Sequence, residues 1–141
     1  MTTIAIKDGY MVADGLACDG NMVTNKTAVK VIRLKGCGSL MGKAGHMGGI
    51  EEIADAFDRG ELPKITNDED VFIIMHPHEG NFYLSVGGLS KDEDIVAVGS
   101  GAPFALSAMR MGHSAIDAVR HAAEMDVYTG GKIRQWDSRD G

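Results

Sequence analysis

The chain has 141 residues, 44% hydrophobic and 24% charged, with a net charge of −6. That length makes one domain, residues 1–141, with a core that needs no staples. The acidic balance gives no electrostatic footprint for nucleic acid, and two cysteines, Cys18 and Cys37, make neither a disulfide scaffold nor a metal site. No apolar run reaches membrane-spanning length and no basic-then-apolar segment opens the chain, so a cytoplasmic setting is expected.

Residues 3–6 and 10–13 read as two strands joined at Asp8-Gly9, a strong hairpin signal, and Asp14-Gly15 ends the second. Residues 16–25 are expected to be irregular or extended, with a turn at Asp19-Gly20-Asn21. Residues 29–34 follow as a strand, and Gly36-Cys37-Gly38 turns the chain into Ser39-Leu40-Met41, so residues 3–41 read as an antiparallel meander. Gly42-Lys43-Ala44-Gly45 is expected to break the sheet.

Beyond it, Ile50, Ile53, Ala54 and Phe57 fall at i, i+3, i+4 and i+7, the stripe of an amphipathic helix, with Gly60 as its stop. Residues 61–70 form a polar connector. Residues 71–75 and 82–86 are strands around a turn at 77–81, and 95–98 is a buried strand running into Gly99-Ser100-Gly101. Two helices follow. One runs over 103–111 from Pro103 to a stop at Gly112. The other is capped by Ser114 with Asp117 three residues on, and its apolar face is Ile116, Val119, Ala122 and Ala123. A turn at 126–131 leads to a last strand over 132–136. Together these predict an α+β fold of helices packed on stacked antiparallel sheets.

The chemistry is concentrated at the start. Thr2 follows the initiator methionine, and a small second residue is what methionine removal normally requires. With Met1 gone, Thr2 carries a hydroxyl nucleophile and, in its α-amine of unperturbed pKa about 7.7–8, a base for it.

Six collinear tags extend that reading: Thr2-Thr3-Ile4, Ala13-Asp14-Gly15, Lys30-Val31-Ile32-Arg33-Leu34, Gly42-Lys43-Ala44-Gly45, residues 98–105 from Val98 to Ala105, and residues 126–131 from Asp126 to Gly131. In these the chain resembles proteasome β-type subunits and the related HslV-type peptidases. The resemblance implies a four-layer αββα sandwich of the N-terminal-nucleophile hydrolases. The chain is shorter than its relatives, trimmed by about one helix and one or two strands. It also implies a threonine endopeptidase acting on peptide or unfolded-protein substrates, without cofactor or metal. Such a peptidase would sit in a homo-oligomeric ring, fed by an HslU-type ATP-driven (AAA+) unfoldase. No nucleic-acid or membrane partner is implied.

Carried over by position, Thr2 is the nucleophile and its amine the base. Lys30 is the cation that favours the alkoxide, Asp14 the carboxylate that holds it, and Gly42 the oxyanion-binding N–H. Ser100, Asp126 and Thr129 match the group around the amine, Thr129 standing where most relatives have serine. Ala17, Ala28, Leu40 and Ala44 fall near pocket positions and imply a small, apolar pocket.

Plainer readings stand beside these. Lys26 rivals Lys30 if the preceding loop aligns differently, Asp14 serves as a turn residue, Gly42 as tight backbone, and Ser100 as a helix cap. His76 and His78 flank a proline in a turn and lack a third metal ligand. Two other functions share the fold: a small-molecule amidase, and a non-catalytic structural or decoy subunit.

Overall fold

The computed structural model describes residues 2–46 and 48–140. It has mixed α and β structure, with three helices and two main antiparallel sheets.

The first sheet grows from the amino-terminal hairpin. Strands β1 (Thr3–Lys7) and β2 (Tyr10–Ala13) pair with Ile4 opposite Ala13. Their two-residue turn has positive φ at both Asp8 (55°) and Gly9 (81°), the twist that suits a tight hairpin. β10 (Val96–Gly99) pairs along the other edge of β1, and β11 (Arg134–Asp137) along β2. The sheet order is therefore β10-β1-β2-β11.

The second sheet runs β5-β6-β7-β8-β9 in chain order. It comprises β5 (Val31–Arg33), β6 (Leu40–Ala44), β7 (Val71–His76), β8 (Gly80–Ser85) and β9 (Gly88–Lys91). Between the sheets in sequence lies a separate hairpin, β3 (Ala17–Asp19) with β4 (Met22–Asn25). The expected single meander is thus corrected: residues 3–41 divide among two sheets and a free hairpin. The expected break at Gly42 is corrected too, because β6 continues through Ala44 and stops only at Gly45.

Period-2 alternation sorts side chains between three apolar clusters. Ile4, Ile6, Met11 and Ala13 of the first sheet meet Val31, Leu40, Ile73 and Met75 of the second. Ala5 and Val12, on the opposite face, pack under α2 (Ala102–Arg110) and α3 (Ala115–Met125). Met41, Phe72, Ile74 and Leu84, on the outer face of the second sheet, take the apolar side of α1 (Ile50–Asp58).

Ser114 caps α3 as the sequence suggests, its Oγ accepting the Asp117 N–H at 3.2 Å. The buried face of α3 is Ala115, Ala118, Val119 and Ala122, while Ile116 is only partly buried. The stripe is one residue earlier than expected because small alanines, rather than the larger isoleucine, allow the helix to lie close on β1 and β2.

Candidate active site

The amino-terminal strand, the residue just before β5 and the turn after α3 converge on one buried carboxylate. Asp14 is 1% exposed. Its Oδ1 accepts from Lys30 Nζ at 2.7 Å and from the Thr3 N–H at 3.1 Å, and its Oδ2 from the Gly130 N–H at 3.0 Å. Those three donors satisfy the carboxylate in a place where an unpaired charge would be costly. Lys30 is buried and gives a second proton to the Leu16 carbonyl at 2.7 Å. Burial pushes the Lys30 ammonium below the ordinary lysine value, and the attraction and hydrogen bond of Asp14 oppose that shift without cancelling it. Lys26, the rival lysine, is exposed.

A second network runs through hydroxyl groups. The Thr2 nitrogen donates to Ser100 Oγ at 3.2 Å, and Ser100 Oγ donates to Asp126 Oδ2 at 2.6 Å. Thr129 Oγ1 donates to the same oxygen at 2.6 Å. Its single proton is thereby committed, so Thr3 Oγ1, 2.7 Å away, is the donor of the next bond. Partial burial works against the Asp126 charge, but the hydrogen bonds from Ser100, Thr129 and the Tyr128 N–H hold its carboxyl below the usual range. Thr3 and the Leu16 carbonyl were not singled out from the sequence. The Thr2-Thr3 pair was a signal for the first; a backbone acceptor leaves none.

The Gly-Ser-Gly segment fits this close packing. A Cβ on Gly101 would lie 2.0 Å from Thr3 Oγ1, and one on Gly99 would lie 1.9 Å from the Thr2 carbonyl oxygen. Both glycines let β10 and the start of α2 approach β1.

Thr2 is 4% exposed and borders a small cleft with Ala28, Lys30, Lys43, Gly45 and His46 among its walls. Met1, whose removal the nucleophile reading requires, lies outside the described residues. The cleft corrects several expectations drawn from the resemblance. Gly42 sits in the middle of β6, opposite Val31 on one side and Ile73 on the other, so its N–H is directed into the sheet. A Cβ there would lie 2.8 Å from Ile4 Cδ1, and that close approach of the two sheets is its role in the structure. Leu40 and Ala44 share its face and are core residues between the sheets. Ala17 is buried in β3. Ala28 borders the cleft. Lys43, on the opposite face of β6 from Gly42, also borders it, so a charged group stands where an apolar wall was expected. The glycine of the same motif that reaches the cleft is Gly45, just past the end of β6.

Among the described residues no group of three or more His, Cys, Asp or Glu side chains could hold a metal. His76 Nδ1 instead accepts the N–H groups of His78 and Glu79 at 3.1 and 3.0 Å, closing the turn before β8. Among the described residues no helix is long and apolar enough to cross a membrane.

No family model and no curated protein matches the chain by sequence. Solved structures match it in fold. The chain is similar to Thiobacillus denitrificans BPH at 19% identity and a TM-score of 0.71, with 99% of each chain covered. A second structure of BPH, in complex with epoxomicin, matches at 20% identity and a TM-score of 0.72 over 96% of each chain. Identity this low carries the fold alone, and over nearly its whole length this chain has the fold of BPH.

Proposed function

We propose that the chain is an N-terminal-nucleophile threonine peptidase of the proteasome and HslV type, active once Thr2 is its amino terminus. The carrying observation is the convergence on Thr2: its nitrogen bonds Ser100 within the Asp126 network, and its cleft is lined by Lys30, whose ammonium pairs with Asp14 behind it. The layer order also supports it. Apolar clusters join α2 and α3 to the first sheet, the first sheet to the second, and the second sheet to α1, which are the contacts an αββα sandwich would need. A structural neighbour solved with epoxomicin supports it further, because that compound is a peptide epoxyketone and offers two electrophilic carbons to a hydroxyl and an amine.

In this mechanism Thr2 Oγ attacks the peptide carbonyl carbon, and its proton passes to the α-amine. An ammonium carries three protons. Two of those on Lys30 go to Asp14 and Leu16, and the third serves the Thr2 oxygen. The Gly45 N–H takes the role first expected of Gly42 and stabilises the oxyanion, since Gly45 lies at the cleft and off the strand. The carbon–nitrogen bond then breaks and the amine gives its proton to the leaving nitrogen. Water hydrolyses the resulting ester and restores the hydroxyl. Enclosure in a homo-oligomeric ring, with an ATP-driven unfoldase, rests on the family resemblance alone.

The test joins intact mass with labelling. The expected result is loss of Met1, a covalent epoxomicin adduct on Thr2, and turnover of a fluorogenic peptide that falls at least about 10³-fold in Thr2→Ala. Turnover that survives Thr2→Ala refutes the mechanism.

A further inference from the structure

The turn that follows β6 is held from behind by one carboxylate outside the network already described. Asp70 immediately precedes β7. Its Oδ1 accepts the His46 N–H at 2.9 Å and lies 3.5 Å from His46 Nδ1. Its Oδ2 lies 3.6 Å from Lys43 Nζ. Lys43 also donates to the Gly48 carbonyl, and its ammonium stands 5.6 Å from the centre of the Phe72 ring. His46 is braced from one more side, with Asn67 Nδ2 at 3.0 Å from its Nδ1 and Glu69 at 3.4 Å from its Nε2.

Gly45 lies inside this clamp. Its φ is +122°, and a Cβ on it would fall 2.5 Å from Asp70 Oδ1 and 2.9 Å from Asp70 Cα. The residue before β7 is therefore the surface on which the Gly45 backbone rests. Lys43 and His46, on either side of Gly45, are tied to the same carboxylate, and Gly48 is tied to it through Lys43. A turn with positive φ at Gly45, Gly48 and Gly49 would otherwise be free to take many backbone shapes.

We propose that Asp70 is a positioning residue for the oxyanion-binding backbone. Its carboxylate fixes the Lys43–His46 turn so that the Gly45 N–H faces the Thr2 cleft. This inference rests on the reading of Thr2 as a nucleophile. It adds to that reading the source of the donor's rigidity. A donor of this kind acts through preorganisation, and a misplacement of about 1 Å costs on the order of 100-fold in rate.

The experiment compares Asp70→Ala, Asp70→Asn and Asp68→Asn in the full chain with Met1 removed. Asp70→Ala is expected to lower kcat for a fluorogenic peptide about 100-fold with KM changed by less than about threefold. Affinity for a peptide boronate, which presents a tetrahedral anionic oxygen, falls in parallel. Affinity for the product peptide does not. Asp70→Asn keeps an acceptor for the His46 N–H and recovers most of kcat. Asp68→Asn removes an equal charge from an exposed site two residues before Asp70 and leaves kcat unchanged. Hydrogen exchange over residues 43–50 rises in Asp70→Ala while β1 keeps its protection.

A kcat within about threefold of the parent in Asp70→Ala overturns the proposal, as does a loss shared equally by kcat and product-peptide affinity. Unchanged exchange over residues 43–50 overturns it by itself, whatever the turnover. Absence of both turnover and a Thr2 adduct in the parent protein sinks the peptidase reading instead, and exchange still judges the clamp.

Discussion

At the scale of single residues, the proposed peptidase mechanism makes Lys30 a link between protonation and both activity and stability, with the two responding in opposite directions. Its ammonium is held below the ordinary lysine value of about 10.4 by burial, against the pull of Asp14. Between the folded and unfolded values, the unfolded chain binds the extra proton. Rising pH through that window therefore favours the folded state as far as Lys30 is concerned. The same deprotonation removes the cation from the Thr2 cleft. We expect kcat to fall on the alkaline side at a pH below the ordinary lysine range, while thermal stability over the same interval shows no parallel loss from this group. Measurement of kcat and of the melting temperature over one pH series decides the matter. An alkaline limb that coincides with unfolding would remove Lys30 from the mechanism. The site was only partly legible in sequence for a related reason. Thr2 stands out by its place at the start of the chain, whereas Asp14, Lys30, Ser100, Asp126 and Thr129 are picked out only through the family resemblance. In the proposed reading Gly45 offers only a backbone N–H and Asp70 a carboxylate that holds it, and nothing in their spacing distinguishes them from turn residues.

At the scale of elements, the hairpin of β1 and β2, the stripe of α1 and the cap of α3 could be read because each is fixed by neighbours in the chain. The pairing of β1 with β10 joins residues almost a hundred positions apart, with Thr3 opposite Gly99, and no local signal announces it. β9 carries no strand signal in the sequence, because Gly88-Leu89-Ser90-Lys91 lacks β-branched and aromatic residues and extends the sheet only by pairing with β8. Gly42 reads locally as a breaker, yet β6 runs through it to Ala44, and the glycine marks a close approach between sheets. The α3 cap offers a test at this scale. Ser114 Oγ satisfies the Asp117 N–H, and the helix it starts lies over β1 and β2. Ser114→Ala is expected to cost about 1 kcal/mol in denaturant unfolding, and Ser114→Gly only a few tenths. Unchanged stability in both variants would show that the cap hydroxyl contributes nothing.

At the scale of the molecule, the site stands where the two sheets and the turn after α3 come together, so its geometry depends on how the sheets stack. Leu40 is the residue that distinguishes a pocket from a core. The resemblance to the peptidase family placed it near the substrate, whereas the structure buries it fully between the sheets, in one cluster with Ile4, Ile73 and Met75. A pocket leucine cut to alanine would change KM and leave stability nearly untouched. A core leucine leaves a cavity instead. Leu40→Ala is expected to cost about 2–5 kcal/mol, a fall in melting temperature on the order of 10 °C. At temperatures where the variant is fully folded, its KM for a peptide stays close to that of the parent. Any loss in kcat there reports the spacing of the sheets beneath Thr2, because Gly42, on the same face of β6, meets Ile4 two residues along the strand from Thr2. A variant with unchanged stability and a shifted KM would return Leu40 to the substrate pocket and undo the assignment of that face to the core.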